Sequence, residues 1–225
     1  MGQWIKLKAS DGHELSAYEV APQTAHHRGG LVVIQEIFGV NAHIRSVADG
    51  WAAEGYYCIA PAIFDRAERG VEIGYSPDEI AKGRNLAGEV GMDKMLLDVE
   101  AARAAAASAG KVGVVGYCLG GSLAWLAATQ IAGSAAASCY YGGRIPDSAS
   151  EKPRCPVQMH FGETDQSIPM SAVEKVRAAV PPSVEVFTYP GAGHAFNRDG
   201  SANWEPQAAK LAKERTLALF RKHIG

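Results

Sequence analysis

The sequence lacks several features that mark membrane proteins and nucleic-acid-binding proteins. None of its apolar runs reaches the roughly 18 residues that would predict a transmembrane helix. The formal net charge is only -2 and no block of like charges occurs, so neither nucleic acid nor an anionic membrane is expected as a partner. The first residues contain no apolar signal segment and no myristoylation motif. These observations predict a cytoplasmic protein.

Cysteine is scarce, and the 4 cysteines show neither CxxC spacing nor clustering with histidine. This distribution predicts no zinc site and no redox dithiol, and no metal or organic cofactor is expected. Cys58, Cys139 and Cys155 lie in strand-like runs, where a buried cysteine acts as a small hydrophobic residue. Cys118 differs from these three because its neighbours indicate a reactive thiol.

What the sequence does contain is an alternation of strand and helix patterns, typical of a mostly parallel α/β sheet with helices on both faces. With 225 residues, 47% of them hydrophobic, residues 1–225 are predicted to form a single domain. The predicted strands cover residues 3–8, 14–20, 31–35, 56–60, 111–115, 139–141, 157–161 and 184–189. The predicted helices cover residues 44–54, 78–89, 93–109, 119–131, 171–180 and 205–222. The irregular segment 61–77 has the length of a functional loop.

The most informative stretch runs from Gly116 to Ser122 and has the sequence GYCLGGS. Glycines two residues before and two residues after Cys118, between a strand pattern and a helix pattern, are typical of a nucleophile elbow. The central residue of such an elbow occupies a strained turn, so its flanking positions must lack bulky side chains. Most elbows carry serine at this position. Cysteine therefore predicts a thiol hydrolase.

Candidate partners for the thiol follow in the order nucleophile, acid, histidine that α/β-hydrolases use. Asp165 and His194 each lie in a turn-rich loop directly after a predicted strand. His194, oriented by Asp165, can generate or stabilise a thiolate. Glu36 ends the strand 31–35, where its carboxylate could accept a proton, and Leu119 begins a helix, where its N–H is free to donate to a developing oxyanion.

The chain resembles the dienelactone hydrolase family (carboxymethylenebutenolidases) of the α/β-hydrolases. The resemblance rests on QEIFGVN at residues 35–41, GVVGYCLGG at 113–121, the Asp165 loop and GAGHAF at 191–196. It implies an α/β-hydrolase fold, with Cys118 as nucleophile and with Asp165 and His194 completing a triad. It also implies that Glu36 holds the thiol until substrate arrives and then takes its proton. Backbone N–H groups of Ile37 and Leu119 would form the oxyanion hole.

The resemblance extends only in part to substrate binding. Dienelactone hydrolases bind the substrate carboxylate with two arginines, one of them four residues after the catalytic histidine, where Arg198 stands here. The position of the other arginine is occupied by Ile80, with Arg84 one helical turn later. Arg84 either supplies this charge from a shifted position or is a solvated surface residue. Tyr141, at the end of its predicted strand, is expected to line the pocket.

These observations predict a hydrolase that cleaves a small, carboxylate-bearing lactone or ester through a cysteine acyl-enzyme. One alternative is a general carboxylesterase or thioesterase of the same fold. Another is a non-catalytic small-molecule binding protein on this scaffold, which the elbow and the three candidate triad residues disfavour. The oligomeric state is not predicted.

The remaining histidines are not expected to take part in catalysis. His43 is expected to begin a helix and to cap it. His160, inside a predicted strand, is expected to be a packed, hydrogen-bonded core residue. Four more lie in turns, a polar loop or the chain end and are predicted to be solvated: His13, His26, His27 and His223.

Overall fold

The computed structural model describes residues 2–24 and 27–225, which contain eight strands and six α-helices. The strands are β1 (Gln3–Lys8), β2 (Glu14–Val20), β3 (Gly29–Ile34), β4 (Tyr56–Pro61), β5 (Val112–Tyr117), β6 (Ser134–Tyr140), β7 (Val157–Gly162) and β8 (Val184–Tyr189). The helices are α1 (Ala42–Ala53), α2 (Pro77–Val90), α3 (Met92–Ala106), α4 (Leu119–Gln130), α5 (Met170–Ala179) and α6 (Pro206–His223). None of the helices in the described ranges combines the length and the apolar composition needed to cross a bilayer.

The strands form one sheet in the order β1-β2-β4-β3-β5-β6-β7-β8. β1 and β2 form an antiparallel hairpin at one edge, β2 pairs antiparallel with β4, and all other neighbours are parallel. Every residue of β3, β5 and β7 is buried. β3 and β5 are almost entirely apolar because both faces of a parallel sheet are covered, whereas β7 contains the buried polar residues Gln158 and His160.

The two faces of the sheet are covered by different helices. Leu31 pairs with Gly113 in the neighbouring strand, so these two residues face the same side of the sheet. Gly30 is adjacent to Leu31 in its strand and therefore faces the other side. A Cβ atom at Gly30 would lie 2.3 Å from the carbonyl oxygen of Ala106 in α3, whereas one at Gly113 would lie 3.2 Å from the Phe220 ring in α6. The helices α3 and α6 therefore pack closely on opposite faces, at positions without a side chain.

Parallel strands carry their carboxyl ends at a common edge, and this edge positions the candidate site. Glu36 follows β3, Cys118 follows β5, Asp165 follows β7 and His194 follows β8. The fold thus gathers residues that are up to 158 positions apart in the sequence.

All of the predicted strands and helices are present in the described residues, most with ends shifted by only one to three positions. The largest difference is β6, which begins at Ser134 rather than at residue 139. Its first half is rich in alanine, a strong helix former, so no strand pattern is visible there and tertiary packing decides the conformation. Tyr141 lies just beyond β6, with φ of 37°.

The predicted burial of Cys155 is only partly correct, since this residue is partly exposed and precedes β7 rather than lying in it. Pro156 follows it and has no N–H to contribute to the strand ladder, so the strand begins at Val157. Cys58 and Cys139 are buried as predicted.

The predicted helix cap at His43 is wrong. The side chain of Asn41 caps α1 by accepting from the N–H of Ile44 at 3.2 Å, because Asn41 lies one residue before the helix and Asn is a strong cap. The expectation for His160 is confirmed: it is buried and hydrogen-bonded. Of the histidines expected in solvent, His27 is exposed, His13 and His223 are partly buried, and His26 lies outside the described residues.

Candidate active site

Cys118 occupies the turn between β5 and α4. Its φ of 55° and ψ of -112° lie in a region that costs a non-glycine residue on the order of 1–3 kcal/mol. A Cβ atom at Gly116 would lie 1.9 Å from the carbonyl oxygen of Gly120, and one at Gly120 would lie 2.4 Å from that of Ile34. Neither position has room for a side chain. The strained turn that holds the thiol at the sheet edge therefore depends on both glycines.

His194 connects the thiol to a buried carboxylate. Its Nε2 lies 3.2 Å from Cys118 Sγ, and its Nδ1 lies 2.7 Å from Asp165 Oδ2. The other carboxylate oxygen of Asp165 accepts from the backbone N–H groups of Ser167 at 2.8 Å and Ile168 at 3.1 Å. Because these bonds hold the carboxylate, the three side chains form one continuous chain of hydrogen bonds.

The electrostatics of this chain favour a charged imidazole. Burial alone would lower the pKa of His194, but its hydrogen bonds to Asp165 and Cys118 and the negative charge of these groups raise it to about 10. Burial opposes ionisation of Asp165 as well, yet the hydrogen bond to His194 and the backbone donors hold its pKa below the usual range. The arrangement can therefore hold an imidazolium next to the carboxylate of Asp165, with Cys118 Sγ 3.2 Å away.

Glu36 and Arg198 form a second, buried ion pair. Arg198 Nη1 donates to Glu36 Oε2 at 3.4 Å, and the two residues are only 8% and 2% exposed. The carboxylate of Glu36 is thus paired with Arg198, whereas the thiol of Cys118 is paired with His194. The resemblance to the family implied instead that Glu36 holds the thiol, and that role stays a prediction.

Two aromatic rings pack on Arg198. Its guanidinium carbon lies 4.1 Å from the ring centroid of Tyr75 and 5.3 Å from that of Phe38, distances at which cation–π attraction acts. The sequence marked Phe38 only as part of a motif and did not single out Tyr75. Tyr75 lies in the irregular segment 61–77, and that segment's length was the only available sign that it reaches the site.

The predicted oxyanion donors are the backbone N–H groups of Leu119 and Ile37. Leu119 is the first residue of α4, where the N–H has no partner within the helix. The buried side chain of Gln35 donates to the carbonyl oxygen of Glu36 at 3.1 Å. Since C=O and N–H point in opposite directions across a trans peptide, this bond fixes the direction of the Ile37 N–H. Sequence reasoning had assigned Gln35 no role of its own.

Tyr141 lies beside the imidazole, with ring centroids 5.2 Å apart. Its hydroxyl is buried and has no hydrogen-bond partner among residues 2–24 and 27–225, an unusual state for a buried polar group.

Arg84 is exposed on α2. Its neighbour Gly83 is buried, and a Cβ atom there would lie 2.1 Å from the carbonyl oxygen of Ile37. Arg84 is therefore next in sequence to a residue that packs against Ile37, while Arg84 itself is exposed to solvent.

The site contains a thiol, an imidazole and a buried carboxylate joined by hydrogen bonds. Within the described ranges, no group of three or more histidine, cysteine, aspartate or glutamate side chains is arranged to hold a metal ion. A nucleophile, an imidazole oriented by a carboxylate and nearby backbone donors are the components of acyl transfer.

Comparison with known proteins gives consistent matches over nearly the whole chain. The sequence profile of the dienelactone hydrolase family matches residues 15–224. A protein of Azospirillum brasilense, named "Putative carboxymethylenebutenolidase", is 39% identical over 233 residues, which cover 98% of this chain and 99% of its own length. A protein of the same name from Synechocystis is 35% identical over 229 residues, covering 94% and 93%.

Solved structures agree with these sequence matches. The crystal structure named "Putative Dienelactone Hydrolase" from Klebsiella pneumoniae has a TM-score of 0.86 at 30% identity and covers 98% of this chain and 100% of its own. A dienelactone hydrolase from Anabaena variabilis has a TM-score of 0.73 at 16% identity, covering 100% and 99%. The second similarity supports the fold alone.

Proposed function

The chain belongs to the dienelactone hydrolase family and has the α/β-hydrolase fold, and from this premise we propose that it hydrolyses a small, carboxylate-bearing lactone or ester through a covalent intermediate on Cys118. The observation that carries the proposal is the chain of hydrogen bonds from the Cys118 thiol through His194 to Asp165, with separations of 3.2 Å and 2.7 Å. Nucleophilic catalysis requires a nucleophile, a base and a group that orients the base.

The first half of the proposed reaction forms a thioester. The thiolate of Cys118 attacks the carbonyl carbon of the substrate, and the electron pair of the C=O bond moves onto oxygen. When this tetrahedral intermediate collapses, the C–O bond to the leaving alkoxide breaks and the imidazolium of His194 gives that oxygen its proton. In a lactone the new hydroxyl remains attached to the acyl group.

The second half returns the enzyme to its starting state. A water molecule attacks the thioester, His194 takes a proton from the water, and the thiolate of Cys118 leaves. One water is consumed, and one carboxyl group and one hydroxyl group are produced. Asp165 stays ionised throughout and holds the imidazole in one orientation.

The backbone N–H groups of Ile37 and Leu119 are proposed to bind the oxyanion in both halves. Their support is the position of Leu119 in the first turn of α4 and the Gln35 bond that fixes the peptide before Ile37. One such donor typically contributes about 3–4 kcal/mol to lowering the barrier.

Arg198 is proposed to bind the substrate carboxylate as its guanidinium turns from Glu36 towards the substrate, and Glu36 is proposed to hold the guanidinium in the site until then. A guanidinium presents five N–H donors in a planar fork, and the structure gives only one of them to Glu36. The remaining donors allow Arg198 to bind a second carboxylate. Arg84 and Tyr141 are proposed as weaker contributors to binding, Arg84 through its charge and Tyr141 through its buried hydroxyl.

One observation favours a second candidate, a general carboxylesterase or thioesterase. The charge of Arg198 is already neutralised by Glu36, and Arg84 is exposed, so the described residues of the site contain no unpaired buried cation for an anionic substrate. Comparing a carboxylate-bearing lactone with a neutral p-nitrophenyl ester distinguishes the two candidates, because only the first predicts a preference for the charged substrate.

The test of the covalent mechanism is to trap the intermediate. Rapid acid quenching during turnover, followed by mass measurement of the intact protein, is expected to show an acyl adduct located at Cys118. Cys118→Ala should lower kcat on the order of 10³-fold or more, and Cys118→Ser should keep little activity because a hydroxyl is far less acidic than a thiol.

Cys155→Ala is the matched control, since Cys155 is also a partly exposed free thiol but lies outside the site. It should retain activity. Turnover in Cys118→Ala at the rate of the unmodified protein would refute the assignment. Absence of hydrolysis of any lactone or ester by the folded protein would favour the binding-protein alternative.

A further inference from the structure

A cleft of about 380 Å³ opens between α1 and α6, next to the segment 197–204. This volume lies within the range of roughly 300–1,000 Å³ that small-molecule sites occupy. Its lining from α1 includes His43, Gly50 and Trp51, and its lining from α6 includes Lys210 and Lys213. Neither Cys118 nor Glu36 is among its lining residues, so the cleft is separate from the proposed catalytic residues.

Gly50 is an unusual residue for its position in the cleft wall. It lies in the interior of α1, where glycine costs roughly 0.5–1 kcal/mol relative to alanine. A Cβ atom at this position would have no heavy atom of the described residues within 4 Å. No close packing against the described part of the protein explains the glycine. Its effect is to leave open a volume that a larger side chain would fill.

The cleft is aromatic in character. Trp51, Trp204, Tyr117 and Tyr140 all line it, and the Trp51 indole N–H donates to the Tyr117 hydroxyl at 3.3 Å. The bond between two of these residues holds the inner part of the wall in one conformation. Trp51, Tyr117 and Tyr140 are only 1–2% exposed, whereas Trp204 is 46% exposed. The Trp204 ring therefore offers the flat apolar surface on which a planar ring gains energy beyond the apolar area that it buries.

Two lysines of α6, Lys210 and Lys213, line the opening of the cleft. Lys213 Nζ lies 5.8 Å from the Trp51 ring centroid and 3.4 Å from Glu54. That same carboxylate is also 3.4 Å from Arg221, so one negative charge is shared by two cations. Lys210 Nζ lies 4.0 Å from Glu214 Oε1 on the same helix, in an exposed pair that solvent screens.

The acidic residue of the cleft lining, Asp199, is hydrogen-bonded to an imidazole. Asp199 lies 3.2 Å from Nδ1 of His43. The Nε2 of the same imidazole is buried without a hydrogen-bond partner in the described part of the chain, a state that a bound molecule or water commonly relieves. Lys210 and Lys213 are the cations of the lining that a bound carboxylate could contact.

We propose that this cleft is a second small-molecule site, which binds a planar aromatic carboxylate with its ring against Trp204 and its carboxylate towards Lys213 and Lys210. The site lies next to the proposed active site, since the segment 197–204 contributes to the cleft and also contains Arg198. The binding of such a ligand does not depend on the proposed hydrolysis.

The test is calorimetric titration of the protein with 2-naphthoate after alkylation of Cys118 with iodoacetamide, which blocks the proposed active site. Binding is expected to persist after alkylation. Gly50→Leu is expected to weaken it at least tenfold, because the leucine side chain fills the cleft. Ala209→Leu fills the cleft from the α6 side and should act likewise, which keeps the test valid if either variant folds poorly.

Gly88→Leu is the matched control, because Gly88 also lies inside a helix and a Cβ atom there would have no described heavy atom within 4 Å, yet it is not part of the cleft. It should bind 2-naphthoate within twofold of the unmodified protein. Lys213→Met, or the neutral analogue 2-naphthylmethanol, should weaken binding about two- to fivefold, as expected for a solvent-accessible charge pair.

Three results would overturn the proposal. One is equal affinity in Gly50→Leu and Gly88→Leu, which would place the ligand elsewhere. Another is loss of binding on alkylation of Cys118, which would place it in the proposed active site. The third is binding of the neutral alcohol as tightly as the carboxylate, which would remove the charge-based part of the inference.

Discussion

Replacing Arg198 by alanine is expected to reduce activity towards carboxylate-bearing substrates far more than towards neutral esters. A charge-assisted hydrogen bond contributes about 1.5–3 kcal/mol, which corresponds to one to two powers of ten in kcat/KM. The guanidinium is held at the site by Glu36 and by the Tyr75 ring 4.1 Å away. Its loss therefore removes a fixed cation rather than a mobile one.

The same substitution has a second consequence, for stability. Glu36 is 2% exposed, and removing the partner of a buried ion leaves an uncompensated charge that costs about 3–5 kcal/mol. The double variant Arg198→Ala/Glu36→Gln lacks this charge and is expected to recover part of the lost stability. Urea unfolding of both variants separates this effect from the effect on catalysis.

The assay is kcat/KM for one carboxylate-bearing lactone and one neutral ester, measured in the unmodified protein, Arg198→Ala and Arg84→Ala. Arg198→Ala should lose roughly 10- to 100-fold more activity on the charged substrate than on the neutral one. Arg84→Ala should show a weaker form of the same pattern if this exposed residue supplies a second charge. Equal losses on both substrates in Arg198→Ala would make Arg198 a structural residue and refute the anionic-substrate proposal.

Three further outcomes follow from the packing. Gly116→Ala should lower stability by about 1–3 kcal/mol and strongly reduce activity, because the new Cβ atom would lie 1.9 Å from a backbone oxygen. Gly88→Ala, at an open helix position, is the control and should be neutral or stabilising in thermal melts. Tyr75→Leu should lower kcat/KM for the charged substrate about fivefold by removing the cation–π contact with Arg198, while Tyr75→Phe should retain it. Burial and the charge of Arg215 lower the pKa of His160 to about 3 from its ordinary 6.5. Neutral His160 therefore contributes its full share to the free energy of unfolding above pH 6.5, and this share falls by about 1.4 kcal/mol per pH unit as the pH decreases below that value. Urea titrations at pH 7 and pH 5 should show a smaller loss of stability in His160→Gln than in the unmodified protein.

The positions of Cys118, Asp165 and His194 could be predicted because they depend on strand order alone. Each follows a strand of a parallel sheet, and such strands deliver their next residues to one edge. The glycines of the elbow add a local requirement that is visible in the sequence. The sequence alone predicts that these side chains lie at the same edge of the sheet, whereas the distances between them are known only from the structure.

The partners of Arg198 could not be predicted in the same way. Tyr75 reaches the guanidinium through the path of an irregular segment, which no periodicity describes. The resemblance to the family implied a contact between Glu36 and the thiol, whereas the structure pairs Glu36 with Arg198. Opposite charges that are buried close together attract strongly because little solvent screens them. The short distance between Glu36 and Arg198 arises only when the chain folds, so the sequence alone does not reveal this pair.

The number of charges in the site indicates why Arg198, rather than Cys118, His194 or Asp165, would decide whether the proposed substrate carries a carboxylate. Asp165 and Glu36 contribute two negative charges and Arg198 one positive charge. Moving the proton of Cys118 onto His194 creates a thiolate and an imidazolium, so the total stays at about one negative charge wherever that proton resides. A neutral ester leaves this total unchanged, but a substrate carboxylate adds a second negative charge to a poorly hydrated site, which is costly unless it is paired. Since Arg198 is the cation that contacts both Glu36 and the aromatic rings of the site, the selectivity of the enzyme should depend on how this guanidinium divides its donors between Glu36 and the substrate.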